Sequence, residues 1–342
     1  MLESNEITIA DVAKMAGVSI STVSRILNGK QDVAAATRQR VQQVIEQLGY
    51  TPHAQAQRLR AGKTRNIALL FPLKSDNRPY NPLEMEFVVG AAAAAGERQY
   101  FFNLLTSAVT QQSLTSLYRS AHVDGVILMQ IYRQDWRVDF LREQGYPFVM
   151  IGHCDDNTGL SYIDLDFESS VVVAFEHLVQ LGHRDIGFIA LPNAMREQGY
   201  GPAARAWDGY ERALTTHQIA PYYRESDFDS QQIFEATLDL LDSSPNLTAI
   251  VTTHESSALS ILRTLGVRGR NVPADFSIVA LMTERIAELS APQMTHIDFP
   301  SYQMGYKAVD MLIRRLEGEL PEPEQILVPP QLLIRNSTAP VR

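Results

Sequence analysis

The stretch Thr8-Ile9-Ala10-Asp11-Val12-Ala13-Lys14-Met15-Ala16-Gly17-Val18-Ser19-Ile20-Ser21-Thr22-Val23-Ser24-Arg25-Ile26-Leu27-Asn28 decides the fold of the N-terminus. Thr8 suits a helix N-cap with Asp11 three residues later, and Ala10, Val12, Ala13 and Ala16 give the helix behind it one apolar face. Gly17 ends that helix, Val18 can bury in the turn, and Ser19 caps the next one. In the second helix Val23, Ile26 and Leu27 form an i, i+3, i+4 stripe, and Asn28-Gly29 stops it. Two helices joined by so tight a turn cross steeply, leaving the N-terminal end of the second to protrude, and such a helix fits the DNA major groove. Ile20, Ser21, Thr22, Ser24 and Arg25 lie off the packing stripe. They combine short hydroxyls suited to phosphates with one guanidinium able to fork onto a guanine edge. The alternative is a solvated helix in an ordinary three-helix bundle.

Working outward, a third helix is expected from about Thr37, with Val41, Val44, Ile45 and Leu48 at helical spacing, Gly49 as its stop and Pro52 beyond. The chain of 342 residues carries a net charge of −9, which at first argues against a nucleic-acid partner. Residues 1–63 hold eight basic and five acidic side chains, a net of +3, and the remainder holds −12. A small basic module on an acidic body fits phosphate binding by the module and self-repulsion by the body.

The runs Thr8–Ser19 and Ser21–Asn28 closely resemble the N-terminus of the lactose/galactose-repressor family of transcription regulators. The resemblance implies that Ile20 and Ser21 set operator preference and that Arg25 reads a base, with Thr8, Ser19, Thr22, Ser24 and Asn28 as further DNA contacts. The segment after Tyr50-Thr51-Pro52, from His53 to Lys63, consists of good helix formers but is too short to be stably helical alone. It is expected to fold on a partner. It resembles the family's hinge helix, which pairs with its twin from a second subunit in the minor groove. Leu59 matches the leucine that wedges between central base pairs, with Ala56 on the same short helix; ordinary packing is the other reading of Leu59. The family usually has Asn after this proline and Arg near the middle, where this chain has His53 and Gln57.

From Arg65 onward, apolar runs alternate with helical patterns: Ile67–Phe71, Phe101–Leu105, Val126–Met129 and Phe148–Ile151, with the Ala91–Ala95 run inside a helix between the first two. Continuous apolar runs separated by helices imply strands buried on both faces in a parallel sheet. The rhythm repeats with strands at Asp185–Ala190, Leu247–Thr252 and Phe276–Leu281, and helices at Val171–Leu181, Ala203–His217 and Ser256–Leu265. The expected fold is therefore an all-α helix-turn-helix domain followed by two α/β lobes that enclose a ligand cleft at the carboxyl ends of their strands. Leu181-Gly182-His183-Arg184, Val272-Pro273 and Thr295–Pro300 extend the family resemblance, which implies a periplasmic-binding-protein-like pair of lobes with a late crossing back to the first. The expected bounds are a DNA-binding domain at 1–50, a hinge at 51–63, and a body at 64–342. Within the body the first lobe is placed at about 64–163 and 295–320, and the second at about 164–294 and 321–342.

In the cleft the chain departs from the family. Many sugar-binding members have Arg three residues before a helical Gly, an Asn-Asp pair after a strand, and Asp after a Val-Gly-Tyr/Phe strand. Here those places hold Ala206 before Gly209, His254-Glu255, and Met282. Arg205 sits one residue from the expected arginine, about 100° around a helix. Arg205, His254 and Asp166 are expected as polar groups facing the ligand, and Tyr80, Phe87 and Trp207 as apolar or stacking surface, with Met282 at the third place. The competing readings are a helix-capping role for His254 and Asp166, and core packing for the aromatics.

No nucleophile with a base, paired carboxylates, glycine-rich phosphate loop or metal-ligand cluster stands out among the eight scattered histidines and the single Cys154. No enzymatic activity, metal or cofactor is expected. Cys154 reads as a small buried hydrophobe, with a nucleophile as the alternative. The apolar runs are far shorter than the ~20 residues that span a bilayer, and the N-terminus lacks a signal-peptide pattern. A free-standing solute-binding protein would explain the lobes but has no use for the N-terminal module. The expectation is a cytoplasmic homodimeric repressor that binds pseudopalindromic double-stranded operator DNA and answers to a small molecule, a sugar or sugar derivative. A non-sugar corepressor, or activation at some promoters, is the alternative.

Overall fold

The computed structural model describes residues 7–27, 33–50, 64–71 and 82–341, which divide into two compact units, Met1–Thr64 and Arg65–Arg342. The first holds α1 (Ile9–Ala16), α2 (Ile20–Leu27) and α3 (Ala35–Leu48). Thr8 caps α1 reciprocally: the Asp11 amide donates to its Oγ1 at 3.4 Å, and its own amide donates to Asp11 Oδ2 at 2.9 Å. Gly17 and Gly49 end α1 and α3 in the left-handed region, at φ 65° and 63°, where a side chain would be strained. Helix α3 begins two residues before the expected Thr37, on Ala34, with no side-chain cap. Val12, Ala16, Val23, Ile26, Val41 and Val44 make the core, and Tyr50 closes it.

In the second unit, β1 (Asn66–Leu70), β2 (Phe101–Leu105), β3 (Gly125–Leu128), β4 (Phe148–Ile151), β5 (Tyr162–Leu165) and β11 (Gln325–Val328) form one parallel sheet in the order β11-β5-β4-β3-β1-β2. A second sheet has β6 (Ile186–Ala190), β7 (Tyr222–Glu225), β8 (Ala249–Thr252), β9 (Ser277–Met282), β10 (Thr295–Asp298) and β12 (Leu332–Leu333) in the order β12-β10-β9-β8-β6-β7. It is parallel except for β12. Both sheets therefore share one strand order, and each is sandwiched between two apolar clusters. The covering helices are α4 (Pro82–Glu97), α5 (Gln111–Arg119), α6 (Trp136–Gln144), α7 (Phe167–Gln180), α8 (Asn193–Glu197), α9 (Gly201–His217), α10 (Ser230–Ser243), α11 (Glu255–Val267), α12 (Glu284–Leu289) and α13 (Ser301–Glu317).

The lobe bounds expected near 295 and 320 are corrected by the pairing. Strand β10 lies in the second sheet beside β9, the chain recrosses at α13, β11 joins β5 in the first sheet, and β12 returns to the second. The reason is burial: Thr295, His296 and Ile297 are fully covered, and their backbone groups need ladder partners on both sides. The short polar-bearing strands β5 (Tyr-Ile-Asp-Leu) and β7 (Tyr-Tyr-Arg-Glu) give no apolar run to read.

Glycines set the helix spacing in both lobes. A Cβ on Gly90 of α4 would lie 2.0 Å from the Tyr302 carbonyl oxygen of α13, and one on Gly305 of α13 would lie 2.1 Å from that of Phe87. In the second lobe a Cβ on Gly209 of α9 would lie 2.4 Å from the Glu168 carbonyl oxygen of α7. The tail after β12 is tied down by buried histidines: His183 bonds Thr248 Oγ1 at 2.8 Å and the Ala339 carbonyl at 3.0 Å, and His177 bonds Thr338 Oγ1 at 3.1 Å.

Candidate functional site

On the first unit, α2 presents Ile20, 46% exposed, together with exposed Ser21 and Arg25, while Thr22 and Ser24 are half-buried. Val23 and Ile26 point the other way into the core. The Ser19 hydroxyl accepts from the Thr22 amide at 3.2 Å and lies 2.7 and 2.8 Å from the hydroxyls of Ser21 and Thr22. It starts the helix and draws a cluster of hydroxyls to its N-terminal end, where backbone amides favour an anion. Thr8 is occupied in its reciprocal cap with Asp11. Met15, 48% exposed, adds apolar surface that the sequence reading did not single out. Asn28, Ala56, Leu59 and Tyr80, with the rest of the hinge, lie outside the described residues.

On the second unit a cleft open to solvent lies at the carboxyl ends of the strands. Met129, Gln130 and Ile131 follow β3, Ile151 and Gly152 close β4, and Asp164 comes from β5. Across from them stand Leu191 after β6, Thr253 and His254 after β8, and Tyr200, Pro202 and Arg205 around the start of α9. This is where open α/β sheets place ligands, because strand order reverses there and the loops diverge. Phe299, at the crossing between β10 and α13, meets Phe87 of α4 and Phe167 of α7 edge-on, both at 5.6 Å between ring centroids. The aromatic cluster joins first lobe, crossing segment and second lobe.

The lobes also touch at the cleft's lip. Arg133 donates its amide to the Gly199 carbonyl at 2.7 Å, Gly201 donates to the Ile131 carbonyl at 3.0 Å, and Tyr132 pairs with Tyr200 as an antiparallel bridge. The Arg133 guanidinium pairs with Asp208 on α9. Gly201 makes the approach possible, since a Cβ there would stand 2.9 Å from the Ile131 carbonyl oxygen.

Arg205 settles its ambiguous helical position by facing the cleft. Its Nη2 donates to the His153 carbonyl at 2.7 Å, its Nη1 lies 4.0 Å from Asp164 Oδ2, and Nη1 is buried without a hydrogen-bond partner. Burial lowers the Arg205 pKa, opposed by Asp164, yet a guanidinium stays charged at neutral pH. Asp164 is held by His153 Nδ1 at 2.8 Å and by the Leu165 amide at 2.9 Å. Thr253 Oγ1 is the other cleft-lining side-chain atom that is buried and unpartnered among the described residues.

Both readings of His254 hold together. It lines the cleft, and it is the N-cap of α11, with Nδ1 accepting from the Ser257 amide at 3.4 Å and its ring 4.9 Å from Phe228. The adjoining Glu255 turns away: Oε1 accepts from the Thr283 amide at 2.8 Å and the Thr283 hydroxyl at 2.7 Å. Burial raises its carboxyl above the ordinary value, with Thr283 opposing and Glu86 adding to the rise. Three expected residues are not in the cleft. Asp166 caps α7 through the Ser169 amide at 2.9 Å. Trp207 packs on the second-lobe core beside Tyr210 and Tyr223, under the Arg196 guanidinium at 3.6 Å, donating to Glu211 at 2.8 Å. Met282 is fully buried at the end of β9 in the second-lobe core. Cys154 is buried, and burial pushes its thiol up to about 12, which leaves it a poor nucleophile.

Glu84, Gln130, Asp164, Thr253, Tyr200, Phe228 and Phe299 were missed. Gln130 and Thr253 follow strands that were read correctly, so asking what succeeds each strand would have found them; Asp164 lies in a strand too polar to see. Among the described residues no group of three or more His, Cys, Asp or Glu is placed to hold a metal, and no helix is long and apolar enough to cross a membrane.

Comparison with known proteins agrees with this arrangement. Residues 8–53 match the family described as bacterial regulatory proteins, lacI family, and residues 175–338 match the periplasmic binding protein-like domain. The HTH-type transcriptional regulator CelR of Thermobifida fusca is 32% identical over 340 residues, covering 96% of this chain and 98% of its own. A solved CelR–cellobiose complex shares 30% identity over 97% of this chain and 99% of that one, with a TM-score of 0.69. The lac repressor dimer bound to operator and the anti-inducer ONPF shares 25% identity over 98% of this chain and 100% of that one, with a TM-score of 0.82.

Proposed function

The chain belongs to the lacI family of bacterial regulatory proteins and is a DNA-binding transcriptional regulator, not an enzyme; on that premise we propose that it is a cytoplasmic homodimeric repressor whose operator affinity is set by a sugar or sugar derivative held between the two lobes. The observation that carries this reading is the cleft itself, built from both lobes and bordered by the contacts between Ile131–Arg133 and Gly199–Gly201. A ligand that touches Gln130 and Phe87 on one side and Arg205, Thr253 and His254 on the other favours one arrangement of the lobes over another. Coupling to DNA is then reciprocal: operator binding alters ligand affinity by the same factor. The CelR–cellobiose complex and the lac repressor complex support a small-molecule occupant of this kind.

In this proposal residues 1–50 read DNA, residues 51–63 serve as the hinge, and residues 64–342 bind the effector and the second subunit. Ile20, Ser21 and Arg25 contact bases in the major groove, Ser19, Thr22 and Ser24 contact phosphates, and Leu59 and Ala56 act at the centre of the pseudopalindrome. A homodimer also suits the apolar edge of the first lobe, where Phe101 on edge strand β2 is 58% exposed and Val89 on α4 is 55% exposed. Exposed apolar side chains of that kind suit burial in an interface.

The test is titration of the full-length chain onto operator fragments selected from a random pool, at several salt concentrations, with and without cellobiose and ribose. The expectation is a short palindromic consensus, affinity that falls steeply with salt, and a change in affinity with at least one sugar. Binding with no sequence preference, or a preference that no small molecule alters, refutes the proposal.

A further inference from the structure

We propose that Arg137 and Asp135, a buried ion pair, are positioning residues of the cleft: they hold the loop between β3 and α6 in the shape that lines the ligand space and grips the second lobe. The inference rests on the proposed effector role of this cleft. The two side chains are 8% and 2% exposed, and the guanidinium forks onto the carboxylate, Nε to Oδ1 at 3.0 Å and Nη2 to Oδ2 at 2.6 Å. The same Nη2 donates to the carbonyls of Met129 at 3.1 Å and Gln130 at 3.0 Å, which follow the last residue of β3. Asp135 accepts in turn from the Tyr132 amide at 3.3 Å and, as the N-cap of α6, from the Arg137 amide at 3.0 Å. Between these anchors Gln130 has φ 55°, a left-handed conformation uncommon outside glycine that persists only where its surroundings over-determine it.

Two tasks depend on that loop shape. Met129, Gln130 and Ile131 line the cleft. Directly beyond them the Ile131 carbonyl accepts from Gly201, the Arg133 amide donates to Gly199, and Tyr132 stands opposite Tyr200. A ligand that displaces Gln130 therefore also displaces the carbonyl of Ile131, and with it the contact to the second lobe. Stability alone is a poor account of the pair, because apolar side chains of similar volume often replace a buried ion pair without loss. Such side chains cannot reproduce the fork, which reaches a carboxylate and two carbonyls from one rigid plane. A lysine ammonium supplies the charge without the plane.

The experiment reads the lip itself, with neither sugar nor DNA present, so its outcome is separate from that of the effector reading. Tyr132→Cys and Tyr200→Cys are combined in the full-length chain. The flanking bonds make these a non-hydrogen-bonded antiparallel pair, with Cα atoms about 4.5 Å apart and within disulfide range. The native Cys154 is buried, with its thiol pushed up to about 12, and does not compete. The disulfide is equilibrated against glutathione in the native protein, and Tm is recorded alongside. With Arg137 and Asp135 intact the disulfide is expected to form readily. In the double variant Asp135→Asn with Arg137→Met, which keeps a capping oxygen and leaves no buried charge unpaired, its formation constant should fall at least about tenfold, the worth of one charge-assisted hydrogen bond. Arg137→Lys should lower it by about threefold or more, and it carries the test if the double variant does not fold. A formation constant unchanged in the variants that fold, whatever Tm does, overturns the positioning role, and so does a disulfide that fails to form with the pair intact.

Discussion

Replacing Gly90 by alanine sets two physical effects against each other. Alanine is favoured over glycine inside a helix by about 1 kcal/mol, so propensity by itself predicts a stabilised α4. The added Cβ, however, would stand 2.0 Å from the Tyr302 carbonyl oxygen and 3.1 Å from its Cα. These are backbone atoms of α13, which no rotamer change can move aside. Relief requires α4 and α13 to part by more than 1 Å, roughly, across a contact that includes Phe87, Val88, Met304 and Ala308 of the first-lobe core. Overpacking typically costs about 1–3 kcal/mol, and a rigid obstacle puts this case at or above the upper end. The net expectation is a loss of about 2 kcal/mol, or a fall in Tm of about 4 °C for a body of this size. Gly305→Ala, whose Cβ would lie 2.1 Å from the Phe87 carbonyl oxygen, should behave likewise. Gly96, in the same helix as Gly90, has no atom within 4 Å of its ideal Cβ, so Gly96→Ala should raise stability by up to about 1 kcal/mol. Scanning calorimetry of the full-length variants checks all three. If Gly90→Ala and Gly96→Ala shift Tm in the same direction, the close crossing of α4 and α13 does not set the first lobe's geometry.

Arg25→Ala should relax base preference at one operator position at a cost of about 1–3 kcal/mol, read by competition binding against single-base variants; undiminished selectivity would remove that arginine from base reading. Phe299→Leu keeps most of the bulk but loses two edge-to-face contacts, each worth about 0.5–1.5 kcal/mol. It should lower stability by about 1–2 kcal/mol and weaken the cleft ligand in titration calorimetry, whereas wild-type behaviour in both would show that the aromatic cluster does not join the lobes. Acid should destabilise the second lobe. Burial holds His177, His183 and His296 below the ordinary imidazole value, so their stabilising effect is complete above about pH 6.5. It is lost as pH falls from there toward the lowered folded values, because the unfolded chain takes up protons first. Glu255 and Asp298, raised by burial, act with the opposite sign, returning stability as they protonate. Tm should therefore fall between about pH 7 and 5.5, and a flat profile would show that these histidines are not buried as neutral groups.

How much could be read in advance differs between the two units. The N-terminal helices depend on local rules that act over three or four residues: the Thr8–Asp11 reciprocal cap, the left-handed Gly17 and Gly49, and the Val23–Ile26 stripe. Each is visible in sequence and each formed. The alternating body was legible for the same reason, since strands buried on both faces must be continuously apolar. Site residues were legible less evenly, because neighbours remote in sequence decide which way a side chain turns. Phe87 and Arg205 face the cleft, but Asp166, Trp207 and Met282 do not, because a cap, a cation over an aromatic face and a buried strand end claimed them.

The sequence by itself determined a small basic helical reader, an acidic α/β body, and membership of a family with that organisation, because composition and periodicity report burial along one chain. Tertiary structure decided which lobe owns β10, β11 and β12, how close α4 and α13 approach, and which polar atoms meet in the cleft. Those outcomes depend on groups far apart in sequence: Arg205 meets the His153 carbonyl across 52 residues, and Ser301 meets Glu86 across 215. Their contacts depend on packing of the whole body, and no window along the chain contains both partners.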